Sequence, residues 1–391
     1  MTLTYVDKVR KYQEFLLSTN IYVIDVETTL ISKDKYKTVY NTPPEYIVHA
    51  LSNVVKPKVI TLRNHKDLHY IFRNLSWNNM YVGHNITYDM FIGATWDLHT
   101  FSTHGFIWDT MLAEYLLTNQ IERMPSLEQS CANYGIAMVK GAEVAEAMKA
   151  GICPSTLPPE QLDAYLEQDI NMTKELFIKQ KIEFYKRPVE WQVMFINQMF
   201  FLVNTLRASV NGMKIDKQYV EHQKLVLWAD VGRLEKDLKQ FMGRQTSTDP
   251  AIWNPASNTD LTVFLYGGTK KWDDRVPNGV YKTGASVGKT KYKIEKRQFV
   301  RCPIFESRGS VDVSALKDML RSTTLGGTGA YAPFLEKLIE YKDMNKNLNT
   351  YFEGYMNHAT GDGYIKPKYN HGLTPTGRLT CSGPNLQNIK A

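Results

Sequence analysis

Residues 21–28 read Ile-Tyr-Val-Ile-Asp-Val-Glu-Thr, a run of β-branched and apolar residues that closes on two acids. Such a run predicts a strand. Side chains two apart on a strand share a face, so Asp25 and Glu27 project together. Neighbouring carboxylates repel, and the pair is costly unless it is protonated or bridged by cations. A hard divalent ion with oxygen ligands resolves the conflict. Taken alone the D-x-E pair is a weak signal, because strand ends often carry acids.

The surrounding pattern alternates. Residues 6–17 predict a helix, 54–62 a strand, 66–75 a helix and 80–82 a short strand entering a loop. Helices are expected at 126–134, after Pro125, and at 159–184, opened by a proline in the first turn. This alternation predicts an α/β domain with a mixed sheet. After Pro188 the texture becomes helical, with long helices over 191–209, 217–242 and 332–356. A short strand is expected at 213–215 after Asn211-Gly212, and a β-ribbon in the Lys-, Arg-, Gly- and Tyr-rich stretch 268–301.

At 391 residues the chain is too long for one compact core, which implies two or three domains. Its 43% hydrophobic and 22% charged residues are ordinary for a soluble globular chain. No run reaches the ~18 apolar residues that a membrane span needs, and no signal peptide opens the chain, so a cytoplasmic protein without a membrane partner is expected. Cys131, Cys153, Cys302 and Cys381 lie far apart, as reduced thiols do, with no metal-ligand spacing. Charge divides unevenly. Residues 1–190 hold 19 basic and 22 acidic side chains, net −3, and residues 191–391 hold 28 and 18, net +10. An acidic half beside a basic half fits a metal–carboxylate site joined to a polyanion-binding surface, although basic residues can also merely solubilise a face.

Two further motifs carry acids. In Gly83-His84-Asn85-Ile86-Thr87-Tyr88-Asp89, Asn85 and Asp89 share a face if a helix begins there. Asn85 is suited to capping that helix or to holding substrate, and Asp89 to a third metal ligand. In Tyr165-Leu166-Glu167-Gln168-Asp169, Tyr165 and Asp169 stack on one helical face. The three motifs, in this order, resemble the DEDD family of 3′→5′ exonucleases, in the branch with tyrosine in its last motif. The resemblance implies a ribonuclease-H-like fold. It further implies that Asp25, Glu27, Asp89 and Asp169 hold two Mg²⁺ or Mn²⁺ ions, that Tyr165 orients the attacking water, and that Thr28 and Asn85 meet the substrate. The run Gly284 to Thr290 looks like a phosphate loop, but it has three residues between its glycines where that motif needs four, and no helix pattern follows.

The run Thr374-Pro-Thr376-Gly-Arg378-Leu-Thr380, followed by Pro384-Asn385-Leu-Gln387-Asn388-Ile389, resembles the stretch that leads into the palm of family A (polymerase-I-like) DNA polymerases, here of phage type. Arg378, Thr376, Asn385, Gln387 and Asn388 supply donors for phosphates and minor-groove acceptors. Residues 341–351 resemble the helix before the palm, where Lys342, Lys346 and Asn349 share a face suited to a phosphate backbone.

The resemblance implies an exonuclease domain over 1–187, a helical thumb over 188–350 with a basic ribbon at about 268–310, and the start of a palm over 351–391. Beyond Ile389 the sequence departs from the family at Lys390-Ala391, before the palm and fingers motifs. A split polymerase is therefore expected, with palm and fingers on a second polypeptide, DNA primer–template and a single-stranded 3′ end as ligands, and the basic ribbon open to a processivity partner. If phage-encoded, the protein works in the host cytoplasm. Two alternatives stand beside this expectation: a non-catalytic DNA-clamping subunit, and an RNA-trimming exonuclease of the same fold.

Overall fold

The computed structural model describes residues 5–30, 34, 37, 39–73, 79–95, 106–137, 142–280, 289–301, 303–305, 309–325 and 329–389. The sequence expectations for Tyr281, most of the 284–290 run, Cys302 and the final two residues lie outside them. Two compact units are present: residues 1–215 with 357–391, and residues 216–356.

In the first unit, β1 (Ile21–Thr28), β2 (Tyr46–Asn53), β3 (Val59–Leu62), β4 (Met80–Gly83) and β5 (Phe106–Asp109) form one sheet in the order β3-β2-β1-β4-β5. The first three strands pair antiparallel, and β1, β4 and β5 pair parallel. Parallel neighbours need crossovers, and helices His65–Arg73 and Ile86–Ala94 supply them. Two of these strands were not legible in the sequence. Residues 46–53 lack clean alternation because Val48, His49, Ala50 and Ser52 are all buried. Residues 106–109 are buried throughout and very short.

The core joins the sheet to helices Tyr5–Leu17, Pro159–Tyr185 and Val189–Asn211. Trp108 packs edge-on against Phe177 and Phe184, and its indole N–H donates to Gln180 Oε1 at 3.1 Å. Gln180 donates in turn to the Thr110 carbonyl (2.9 Å) and to Glu114 (3.0 Å), so this buried polar group is satisfied.

The unit boundaries differ from those expected. Helix Val189–Asn211 is long and apolar enough to cross a membrane. Instead Phe195, Ile196, Met199 and Val203 bury into the core of the sheet unit, which places this helix in the first unit and not in a thumb beginning at 188. The last residues also fold into this unit. Tyr364–Ile365 pairs with Met213–Lys214, and Lys368–Asn370 with Thr380–Ser382. Gly212, at φ +66°, permits the first pairing, because a Cβ there would sit 2.6 Å from the Ile365 carbonyl oxygen. Thr205 Oγ1 meets His371 Nε2 at 2.6 Å, and the Tyr115 hydroxyl donates to the Thr374 carbonyl at 2.6 Å.

The second unit gathers helices Lys217–Thr246, Asn258–Tyr266, Val313–Leu325 and Ala332–Lys346 around Trp253, Phe264 and Phe334. The helix expected to run to 356 ends as α-helix at Lys346 and continues as a π-helical stretch, Asn347–Glu353. The Asn349 side chain donates to the Asn345 carbonyl at 2.8 Å, competing for an acceptor that α-helical bonding uses. Strands Gly268–Val280 and Thr290–Arg301 form the expected ribbon. Cys131, Cys153 and Cys381 are free thiols.

Candidate metal centre

The site is built at the end of β1. Its parallel pairing with β4 stops at Val23, whereas its antiparallel pairing with β2 continues through Asp25 and Glu27. Beyond Val23 the β4 side of the strand is therefore left open. Gly83 turns the chain there. A Cβ on it would lie 3.0 Å from the Ile86 side chain and 3.2 Å from the Ile24 carbonyl oxygen, too close for any larger residue without displacement.

Ligand oxygens of Asp25, Glu27 and Asp169 come within 4.8 Å of one another, and all three residues are partly buried. Asp169 arrives from helix Pro159–Tyr185, with Tyr165 one turn earlier and hydrogen-bonded to it. Burial raises the affinity of all three carboxyls for protons. Asp25 and Asp169 raise Glu27 further, and Asp25 raises Asp169. Burial, with the charge of Asp169 beside it, pushes the Tyr165 phenol upward as well, so it stays protonated.

Asp89 lies outside this closest group, although its carboxyl is buried and raised by desolvation and then by the charge of Asp25. It sits in the first turn of Ile86–Ala94. Next to it, the Tyr88 hydroxyl meets the Thr28 hydroxyl at 2.6 Å, which ties this helix to the end of β1. Three of the four expected ligands thus converge directly, with the fourth as a buried electrostatic neighbour.

Asn85 holds the N-cap position in the left-handed region (φ 60°, ψ 43°), but its side chain makes no capping bond. The capping role expected for it is corrected: Asp109 does this work. The Asp109 carboxylate accepts from Asn85 N–H (3.1 Å), Met111 N–H (2.9 Å) and Leu112 N–H (3.2 Å). It thereby fixes the loop before Asp89 and caps helix Thr110–Leu117. Burial pushes its pKa up to about 6, against those N–H bonds. Sequence reading did not assign this role to Asp109. The Asp-Thr pair that opens a helix is the signal that could have found it.

The residues expected to contact DNA fall in both units. Thr376, Arg378, Asn385, Gln387 and Asn388 are exposed in the first unit, and the Asn385 side chain accepts from the Gln387 N–H at 3.0 Å. Lys346 is exposed in the second unit. Lys342 is half-buried and donates to Asn258 Oδ1 at 3.0 Å, so it is engaged internally.

Residues 303–391 match the DNA polymerase family A model. Over these residues the chain is similar to the family A DNA polymerases. DNA polymerase I of Lactococcus lactis subsp. cremoris is 43% identical over 60 residues, 15% of this chain and 7% of that protein. The DNA polymerase of Bacillus phage SP01 is 22% identical over 331 residues, covering 78% of this chain and 34% of that one. DNA polymerase I of Synechocystis is 24% identical over 294 residues, 74% of this chain and 25% of the relative. The aligned part therefore spans about a third or less of these relatives. Among solved structures, the POL domain of Pol1 from M. smegmatis, in complex with DNA primer–template and dNTP, has a TM-score of 0.60 at 15% identity. It covers 100% of this chain and 56% of its own, a likeness of fold.

Proposed function

We propose that this family A relative is a metal-dependent 3′→5′ DNA exonuclease with a ribonuclease-H-like domain, serving as the proofreading and DNA-binding part of a DNA polymerase. The observation that carries this reading is the convergence of Asp25, Glu27 and Asp169 within 4.8 Å. Three crowded carboxylates of raised proton affinity suit hard divalent cations, which would remove their mutual repulsion. Asp25, Glu27 and Asp169, with Asp89, would hold two Mg²⁺ or Mn²⁺ ions, and these supply an activated water and stabilisation of the leaving 3′-oxygen. The protein's own residues do the positioning. Tyr165, kept protonated, orients the water by its hydroxyl, since a phenol is a poor base. Thr28, through Tyr88, and Asp109, through the Asn85 N–H, fix the segment that carries Asp89. The sheet order, with three antiparallel strands followed by two parallel ones, supports the ribonuclease-H-like assignment.

Arg378, Thr376, Asn385, Gln387 and Asn388 are read as contacts to primer–template DNA, because they are exposed and rich in donors. Nucleotide addition in this reading is carried out together with a polypeptide that bears palm and fingers. The test is digestion of 5′-labelled single-stranded DNA with Mg²⁺ or Mn²⁺. Stepwise shortening that releases nucleoside 5′-monophosphates is expected, and it should be lost in Asp25→Ala. A wild-type protein inert with both metals would sink the reading, and faster attack on RNA would change the substrate class.

A second reading, a DNA clamp, is favoured by one observation. Lys271, Arg275, Lys289, Lys291, Lys293 and Lys296 are all exposed on the ribbon. It predicts steeply salt-dependent DNA binding without hydrolysis. The ribbon is also where a processivity partner would dock.

A further inference from the structure

Helix Lys217–Thr246 buries Val231, Leu234 and Leu238 in the core of the second unit. On its opposite side the same helix holds two large apolar side chains in solvent: Leu225 is 69% exposed and Trp228 is 66% exposed. A tryptophan held this open forfeits most of the stabilisation its burial would bring, and exposed apolar patches mark contact surfaces. The stripe that carries the two runs Glu221, Leu225, Trp228, Ala229, Gly232 and Lys236, all exposed and all on one helical face.

Gly232 is a second, independent observation. It lies mid-helix, where glycine is a poor helix former, and it does not take up the left-handed conformation that would call for one. A Cβ there would meet no neighbouring atom within 4 Å, so nothing inside the chain needs the space. The gap it leaves faces outward.

The order of residues along the stripe is self-complementary. Turned antiparallel about a two-fold axis passing between Trp228 and Ala229, the stripe sets Trp228 of one copy on Ala229 of the other. The same operation sets Leu225 on Gly232 and Glu221 on Lys236. Each bulky side chain meets a small one and each acid meets a base, twice over by symmetry. The charges at its ends are available. Ion pairs on this helix use Lys224, Asp230 with Arg233, Glu235 with Lys239, and Asp237, which leaves Glu221 and Lys236 without one among the described residues.

We propose that this stripe docks a second copy of the same chain in an antiparallel helix–helix contact. Charge and size complementarity select that occupant and that direction, because a parallel pairing would set Trp228 on Trp228 and Glu221 on Glu221. A single helix face buries little area, so the dimer is weak and transient, with a dissociation constant in the micromolar range. The contact goes beyond the exonuclease reading and does not depend on it.

The experiment is sedimentation velocity of the full chain from about 1 to 200 µM, a span that brackets such an affinity. A concentration-dependent shift from monomer to dimer is expected. Trp228→Glu should weaken association about tenfold or more. Glu221→Lys should weaken it about fivefold, and adding Lys236→Glu should restore it, because reversing both charges keeps them paired. Gly232→Leu should weaken association while raising Tm, since leucine is the better helix former but fills the space that Leu225 of the other copy needs. A chain that stays monomeric throughout overturns the proposal and leaves the stripe to a different protein. A dimer that survives both Trp228→Glu and Gly232→Leu overturns it too, by placing the contact elsewhere. A charge-reversed double variant as weak as Glu221→Lys alone would overturn the antiparallel pairing.

Discussion

The two units handle charge in opposite ways. The sheet unit crowds like charges: Asp25, Glu27 and Asp169 share one small volume, with Asp89 buried near them. The helical unit spreads its charges over an exposed ribbon and pairs several with opposite partners, as in Arg297 with Asp274 at 2.8 Å and with Glu295 at 3.4 Å. Like charges gathered out of water raise the free energy of the fold and call for a ligand, whereas interleaved exposed charges need nothing further. The difference puts the groups that call for a ligand in the first unit and leaves the second with charges met by partners or by water.

The largest expected effect breaks the cluster. Asp25→Ala should lower 3′→5′ hydrolysis by ~1000-fold or more, on the scale of losing a principal charge-stabilising group, as measured by single-turnover digestion. Next comes a well-buried ion pair at the ribbon base, Lys270 with Asp260 at 2.6 Å. Lys270→Ala leaves the Asp260 carboxylate buried beside only the Asn254 N–H, and should cost about 3 kcal/mol in urea unfolding of the second unit. A loss this large would show that the helical unit also depends on charge where charge is buried.

A smaller effect has the opposite sign. The cluster carboxyls are raised in the folded state, so they favour folding when protonated and lose that contribution as pH rises through their folded pKa values. His49, His84 and His371, lowered to about 4 by burial, act the other way, destabilising the fold as pH falls from their usual ~6.5 towards 4. Above pH ~6.5 these histidines are neutral in both states, which isolates the carboxyls. The metal-free protein should therefore melt lower at pH 8.5 than at pH 7, and Mn²⁺ should raise Tm more at the higher pH. Asp25→Asn should raise the metal-free Tm by ~2–4 °C, equivalent to about 1 kcal/mol, and weaken the metal response. A metal-free Tm that is flat from pH 7 to 8.5 would contradict the crowding. Smallest of all, Arg297→Ala should change stability by no more than ~0.5 kcal/mol, because its pairs are exposed and screened.

Much of this was legible because hydrophobic period and punctuation agree locally. The expected helix at 159–184 is Pro159–Tyr185, and that at 217–242 is Lys217–Thr246. Where period was ambiguous the reading failed. The strand expected over 54–62 begins only at Val59, because the chain first turns at Val54-Val55, closed by the Lys56 N–H donating to the Asn53 carbonyl at 3.1 Å. Asp25, Glu27, Tyr165 and Asp169 could be named in advance because strand and helix periods fix which side chains share a face. The cap from Asp109 to the Asn85 loop could not, because it joins the ends of two strands that the sequence does not show to be neighbours. The placement of residues 357–391 in the sheet unit depends on contacts from distant parts of the chain, such as Tyr115 with Thr374.

That placement governs the order of assembly on the ribosome. Met213 meets Ile365, and Thr205 meets His371, only after all of residues 216–356 has been synthesised. The sheet and its carboxylates can form early, since their elements lie within the first 185 residues. The contacts of Ile365, His371 and Thr374 with the earlier part of the unit close last, because a contact of such long sequence separation must await its partner and bear the closure entropy of the intervening loop. A nascent chain would thus hold Asp25, Glu27 and Asp169 together well before residues 357–391 join the same unit, so this unit would be completed in two stages during translation.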